Sequence, residues 1–277
     1  MTRSPLTGRT VLMSGGSRGI GLAIAVRLAR EGANIALLAK TDVPDPRLPG
    51  TVHTAAADIE AAGGKALPMV GDVRDRVAVS GAVEACAAAF GGIDIVINNA
   101  SAINLSGMGE LNLKHFDLML DVNVRGTFSL VTESLPHLLN SDHGHVLTLS
   151  PPLNPARRWL AGHAPYTLTK YAMTMLTLGI AEQHRGTIAA NCLWPETLIA
   201  TAAVQNVVAG EAGMKAARVP QIMADAAALI LAEKPGLGTG HCHVDADVLR
   251  SAGKTDLSSY AAVPETPDSA LELDLFI

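Results

Sequence analysis

Tyr166 and Lys170 stand four residues apart in a stretch, 166–184, where Met173, Met175, Leu176 and Ile180 recur at helical spacing. Four residues along a helix is one turn, so the phenol and the ammonium share a face. A phenol with an ordinary pKa near ~10 is a weak acid or base at neutral pH. A cation one turn away stabilises the phenolate and brings proton transfer within range. That pairing suits one chemistry: moving a proton to or from an oxygen while the attached carbon gains or loses a hydride. Tyr-x3-Lys is also a common accident, so its meaning depends on what surrounds it.

A glycine cluster supplies the first context. Ser14-Gly15-Gly16-Ser17-Arg18-Gly19-Ile20-Gly21 follows an apolar run at 10–14 and opens a helical stretch at 19–30. So tight a turn from strand to helix needs residues without a Cβ, and the helix N-terminus turns backbone N–H groups toward an anion. Gly15, Ser17, Arg18, Gly19, Ile20 and Gly21 are therefore candidate contacts for a dinucleotide. A flexible turn would look much the same in isolation. The next apolar run, 34–39, ends at Lys40-Thr41-Asp42. An acid there holds a ribose 2′-hydroxyl, whereas a cation pairs with a 2′-phosphate. Lys40, with Arg18 as a second cation, points to NADP(H) over NAD(H). The competing reading makes Lys40 a solvated lysine and Asp42 the ribose ligand.

Short β-branched runs alternate with longer helical stretches. Strands are predicted at 10–14, 34–39, 66–70, 93–97, 145–149, 187–193 and 240–244, and helices at 19–30, 53–62, 77–90, 113–139, 166–184, 197–209 and 221–232. This alternation implies βαβ units, a parallel sheet and helices on both faces. No internal repeat and no dividing linker is visible. The expectation is one domain over 1–277, with a core at 6–250 and an acidic, Pro-containing tail at 251–277. A second Pro-rich segment, 43–49, reads as a loop beside the dinucleotide.

The Gly-x3-Gly-x-Gly spacing, Asn98-Asn99-Ala100 after the fourth strand, and Tyr166-x3-Lys170 occur in this order. Together they resemble the short-chain dehydrogenase/reductase family. The resemblance implies a single-domain Rossmann fold, a doubly wound parallel sheet of about seven strands, and an NADP(H)-dependent oxidoreductase interconverting a carbonyl and an alcohol. It implies that Tyr166 is the acid/base, that Lys170 also grips the nicotinamide ribose, and that Asp72 and Val73 hold the adenine. It makes Asn99 the spacer between the central strand and the cofactor, Asn123 the holder of a relay water, and Pro195 part of a loop over the nicotinamide. It also pairs 113–139 with 166–184 across an interface, giving a homodimer or homotetramer.

The sequence departs from the family pattern in three places. The serine usual at the end of the fifth strand aligns with Pro151, with Ser150 one residue early; Ser150 stands in for it if the two prolines bend the chain. Ser101 replaces the usual glycine after Asn98-Asn99-Ala100. Glu196 replaces the glycine usual after Pro195, which puts a carboxylate near the nicotinamide or the substrate mouth. The missing serine keeps open an NADP(H)-binding protein with little turnover, and an enoyl-type C=C reductase is a third reading. A narrower resemblance within the family rests on Gly50-Thr51-x-His53-Thr54-Ala55-Ala56, Gly63 to Pro68, Ser101-Ala102-Ile103, Leu149 to Asn154 and Leu193-Trp194-Pro195. It implies a lipid-like substrate. His163, three residues before Tyr166, is either a substrate contact or an ordinary residue of the helix start.

Composition narrows the classes. With 277 residues, 48% hydrophobic and 17% charged, the chain can bury a large core. A net charge of −5 without a Lys/Arg block leaves no nucleic-acid footprint. No apolar run approaches the ~18 residues of a membrane span. The apolar run behind Arg3 and Arg9 is broken at once by glycines and Arg18, so no signal peptide is read. Three widely spaced cysteines, Cys86, Cys192 and Cys242, fit a reducing compartment. With no Ser-Lys-Leu ending, the expected location is cytoplasmic. His241, Cys242, His243 and Asp245 resemble a metal motif, but no converging ligands are evident, so no metal is expected.

Overall fold

The computed structural model describes residues 4–45, 48–236 and 238–277. Pro46 and Arg47 of the predicted loop at 43–49, and Arg3 of the N-terminal reading, lie outside them. Seven parallel strands form one sheet among the described residues: β1 (Thr10–Ser14), β2 (Asn34–Ala39), β3 (Lys65–Val70), β4 (Ile95–Asn98), β5 (Gly144–Thr148), β6 (Ile188–Trp194) and β7 (Cys242–Val244). Their order is β3-β2-β1-β4-β5-β6-β7. Val11 lies between Ile35 of β2 and Ile95 of β4. Strands β1, β4, β5 and β6 are buried throughout, which is why they read as mainly apolar runs without alternation. Pro68 is confined to the edge strand β3, where a missing N–H costs no central ladder bond.

Helices cover both faces. On one, α1 (Gly19–Arg30), α2 (Val52–Ala61), α8 (Gln221–Ala232) and α9 (Asp245–Ser251) bury Ile24, Leu28, Ile59, Met223 and Leu249 against the sheet. On the other, α3 (Arg76–Phe90), α5 (Gly126–Asn140) and α6 (Arg157–Gln183) bury Val79, Val83, Leu130 and Ala181. The chain reverses direction across the sheet between β1 and β4. The crevice at their carboxyl ends is where such folds place a dinucleotide.

Three predicted elements differ in ways that matter for the site. The long helix at 113–139 is α4 (Leu113–Met119), a π segment at Leu120–Arg125, then α5. The π segment carries Asn123 into the interior. α6 begins at Arg157 rather than at residue 166 and breaks at His163, whose φ/ψ of −148°/49° are not helical. Pro165 removes a helical N–H and crowds the preceding turn. The predicted helix at 197–209 is helical only over 202–208; its first residues, 197–201, are not helical. Ile199 bridges Arg218 and Thr197 bridges Leu273, so the helical turns begin at Ala202 and continue as a π segment at Val204–Val208, followed by the unforeseen short helix α7 (Gly210–Lys215). Its local pattern was overridden by pairing with the distant tail.

Candidate active site

The crevice opens into a cleft of about 1820 Å³. Its dinucleotide end is made by the turn after β1. Gly15 has a φ of +74°, and a Cβ there would lie 2.8 Å from Ala100 Cα. Only glycine meets both demands. Gly15, Ser17, Arg18, Gly19 and Ile20 line the cleft. Gly21 does not; its missing Cβ admits Asn99, whose Nδ2 would otherwise be 2.5 Å away. Asn99 Nδ2 donates to the Gly15 carbonyl at 2.7 Å, so this residue ties β4 to the glycine turn. Lys40, Thr41, Asp72 and Val73 line the far end. Arg18 Nη2 donates to Thr41 Oγ1 and to the Gly50 carbonyl, both at 2.8 Å. Asp42 turns aside, 2.7 Å from His53 Nε2, and does not border the cleft. The glycine cradle and the adjoining cations fit a phosphate-bearing dinucleotide.

At the other end stand Tyr166 and Lys170, both almost wholly buried and both bordering the cleft. Lys170 Nζ donates to the Leu149 carbonyl at 2.6 Å and sits 4.9 Å from the Trp194 ring centre. Burial pushes its ammonium down to about 7, against the pull of Asp274. Burial raises the Tyr166 phenol, the negative charge of Asp274 raises it further, and the Ser101 hydroxyl works the other way by hydrogen bonding to it. Pro195 also lines this end.

Asn123 is fully buried, and its side chain is already satisfied. Oδ1 accepts from the Ala102 N–H at 2.7 Å, while Nδ2 donates to the Ala102 carbonyl at 2.9 Å and to Thr169 Oγ1 at 3.0 Å. Ser150 is not brought to the cleft. Its hydroxyl is fully buried and accepts from Thr174 Oγ1 at 3.0 Å, behind Lys170 on α6. The prolines do not swing it toward Tyr166. His163 does not line the cleft either; it packs among Trp159, Tyr166 and Phe276.

The expectation for Glu196 is corrected. Its carboxylate accepts from Arg218 Nη1 and from Arg250 Nη1, each at 2.7 Å. Burial works against the charge, but Arg250 and Arg218 hold it below the usual carboxylate range. The acid at the Tyr166 end of the cleft is Asp274, from the tail. Its N–H donates to the Glu196 carbonyl at 3.0 Å, and burial raises its carboxyl to about 7. Two residues on, Phe276 is enclosed by Trp159, Tyr166, Tyr171 and Trp194, with ring centres 5.4–6.3 Å away. Sequence reasoning missed Asp274 because nothing local says which side of an extended segment will face α6. Ser101 was visible only as an oddity in a motif.

The metal decoy resolves differently. His241 and His243 lie with ring centres 5.4 Å apart, but Asp245 turns away to accept from the Glu196 N–H at 2.8 Å. No group of three or more potential ligands converges among the described residues. No helix among them is long and apolar enough to cross a membrane.

Comparison with known proteins agrees with this geometry. The short chain dehydrogenase family model matches residues 9–212. The chain is 50% identical over 262 residues to hydroxysteroid dehydrogenase-like protein 2 of Danio rerio, covering 95% of this chain and 63% of that protein. Against the Homo sapiens protein of the same name it is 46% identical over 272 residues, covering 98% and 64%. The chain thus spans somewhat under two thirds of the length of these curated relatives. Among solved structures, a short chain dehydrogenase of Mycobacterium thermoresistibile is 51% identical, with a TM-score of 0.91 over 98% of this chain and 96% of that one. A short-chain dehydrogenase/reductase of Serratia marcescens is 31% identical, with a TM-score of 0.72 over 87% and 97%. This protein belongs to the short-chain dehydrogenase family, whose members bind a nicotinamide dinucleotide.

Proposed function

We propose that this protein is an NADP(H)-dependent oxidoreductase that interconverts a carbonyl and an alcohol on a small or lipid-like substrate. The observation that carries this reading is the placement of Tyr166 and Lys170 at one end of the cleft whose other end is the glycine turn. The bound dinucleotide supplies or accepts the hydride. Tyr166 Oη gives its proton to the substrate oxygen in reduction and takes it back in oxidation. Lys170 stabilises the phenolate left behind. Leu149, Ile103, Trp194, Val207 and Leu275 make the substrate end apolar, which suits a lipid-like molecule. The names of the relatives, hydroxysteroid dehydrogenase-like, support the same class. The test is NADPH consumption against medium- and long-chain ketones, aldehydes, steroids and enoyl thioesters. Reaction only with enoyl thioesters would move the assignment to a C=C reductase. Tight NADPH binding without turnover would move it to a binding protein.

The NADP(H) preference rests on Lys40 and Arg18 lining the cleft while Asp42 is held by His53. Lys40 is 62% exposed at its side chain and 4.0 Å from Asp72, free to meet an added phosphate. Lys40→Ala is expected to weaken NADPH binding by roughly 10-fold, the value of one charge-assisted hydrogen bond, and to leave NADH binding nearly unchanged. Fluorescence titration with both dinucleotides checks this; equal weakening of the two would exclude a 2′-phosphate contact.

A dimer or higher oligomer is supported by Phe128 on α5 and by Leu168 and Met175 on α6, each more than half exposed. Phe128 and Leu176 also border a surface depression of about 360 Å³. Phe128→Glu combined with Met175→Glu is expected to give a monomer by light scattering, with an unchanged far-ultraviolet spectrum. A parent protein that is already monomeric would remove the claim.

A further inference from the structure

β5 ends without a hydroxyl that reaches the cleft. Ser150 is turned to Thr174, and Pro151 has neither a hydroxyl nor a backbone N–H to offer. Lys170 Nζ is engaged by the Leu149 carbonyl. A substrate oxygen approaching Tyr166 would therefore find a single side-chain donor from β5 and α6. One donor fixes a distance but not an orientation.

Ser101, in the segment between β4 and α4, borders the same cleft and is exposed to it. Its backbone is clamped on both sides. The Ala100 N–H donates to Ser14 Oγ at 3.2 Å. The Ala102 N–H and carbonyl are both held by the buried amide of Asn123. That amide also donates to Thr169 Oγ1, which donates at 2.9 Å to the carbonyl of Tyr166 itself. One buried side chain thus ties the Ser101 segment to the turn of α6 that carries the phenol. A loop serine would normally sample several backbone states; here the residues on either side of it are held, and it lines the same cleft as Tyr166.

We propose that Ser101 is a catalytic residue whose hydroxyl donates to the substrate oxygen beside Tyr166, the task that neither Ser150 nor Pro151 can perform. The proposal rests on the carbonyl–alcohol reading. The oxygen gains negative charge as hydride arrives at its carbon, so a fixed donor stabilises the transition state more than the ground state. In this arrangement Asn123 is a positioning residue, acting through the backbone of Ala102.

The test compares Ser101→Ala, Ser101→Thr, Ser150→Ala and Tyr166→Phe in the full chain, with kcat, KM, dinucleotide Kd and thermal melting for each. Loss of one oxyanion-type donor predicts a fall in kcat of about 100- to 1,000-fold for Ser101→Ala, with Kd and melting unchanged. Ser101→Thr, which keeps the hydroxyl, restores much of the rate. Ser150→Ala, which loses only a buried contact with Thr174, stays within about threefold of the parent. A Ser101→Ala enzyme within about threefold of the parent, or a larger loss at Ser150, overturns the proposal. Retained turnover in Tyr166→Phe would instead overturn the underlying reaction, whatever Ser101 does.

Discussion

Replacing Tyr166 with phenylalanine is expected to lower kcat by roughly 100- to 10,000-fold, the usual worth of a positioned acid–base group. The change removes one hydroxyl and keeps the ring. That ring packs against Phe276 and His163, with centres 6.3 and 6.4 Å away, so folding should survive. Dinucleotide binding should survive too, because the glycine turn, Lys40 and Asp72 line the cleft away from the phenol. The hydroxyl sits where burial and Asp274 both favour its protonated form, which suits it as the donor when a carbonyl is reduced. Lys170 opposes this by stabilising the phenolate, but its own ammonium is pushed down to about 7 by burial. Its help therefore falls away as pH rises through that value, and the oxidative direction should feel the loss most. Steady-state rates from pH 6 to 9, with NADPH titration of the same variant, check both claims. A Tyr166→Phe enzyme that turned over normally would end the assignment.

Phe276→Ala should have the second-largest effect. Phe276 is 1% exposed and has a φ of +75°, a backbone state that a bulky residue holds only when its surroundings insist. Truncating a buried phenylalanine costs about 3–5 kcal/mol. Much of that loss should appear locally, because the tail is otherwise held by a few bonds to the loop after β6 and to the turn before α6. Among them are the Leu198 N–H to the Glu272 carbonyl, Trp194 Nε1 to the Leu275 carbonyl and Asn154 Nδ2 to the Phe276 carbonyl, at 2.7–2.9 Å. The expected result is undocking of residues 272–277 while the sheet stays folded. Hydrogen exchange should rise at the Asp274 and Ile277 amides, and KM for apolar substrates should rise as Asp274 and Leu275 leave the cleft wall. Phe276→Leu, which refills most of the volume, should lie between the two. Unchanged exchange in the alanine variant would show that the ring is not what anchors the tail.

These expectations differ in how far the sequence alone could reach them. Tyr166 and Lys170 were legible because four residues on a helix define a shared face wherever that helix packs. The glycine turn was legible for the same kind of reason: Gly15 answers a backbone demand written in its own φ and in a contact with the next strand over. The runs at 10–14 and 34–39 became strands with those bounds, since burial on both faces admits little but apolar residues. The helix predicted at 197–209 starts only at Ala202, because Thr197 and Ile199 form bridges to Leu273 and Arg218, partners that local propensity cannot see.

The same divide runs through the active site. Alternating strands and helices, the glycine turn, the cation at Lys40 and the Tyr–Lys pair all follow from short-range geometry, and the sequence by itself determined them. Which hydroxyl and which carboxylate stand beside Tyr166 were decided only by tertiary structure. Ser150 is adjacent to the expected position, yet the end of β5 turns it toward Thr174, while Asn123 on a π segment holds Ser101 at the cleft. Glu196 is adjacent to Pro195, yet Arg218 and Arg250 draw it away, while Asp274 arrives from the far end of the chain because Phe276 fills an aromatic cage beneath Tyr166. The direction of a side chain at the end of a strand is set by the partners that pack and charge-pair with it. Those partners lie tens of residues away, where spacing along the sequence carries no information about them.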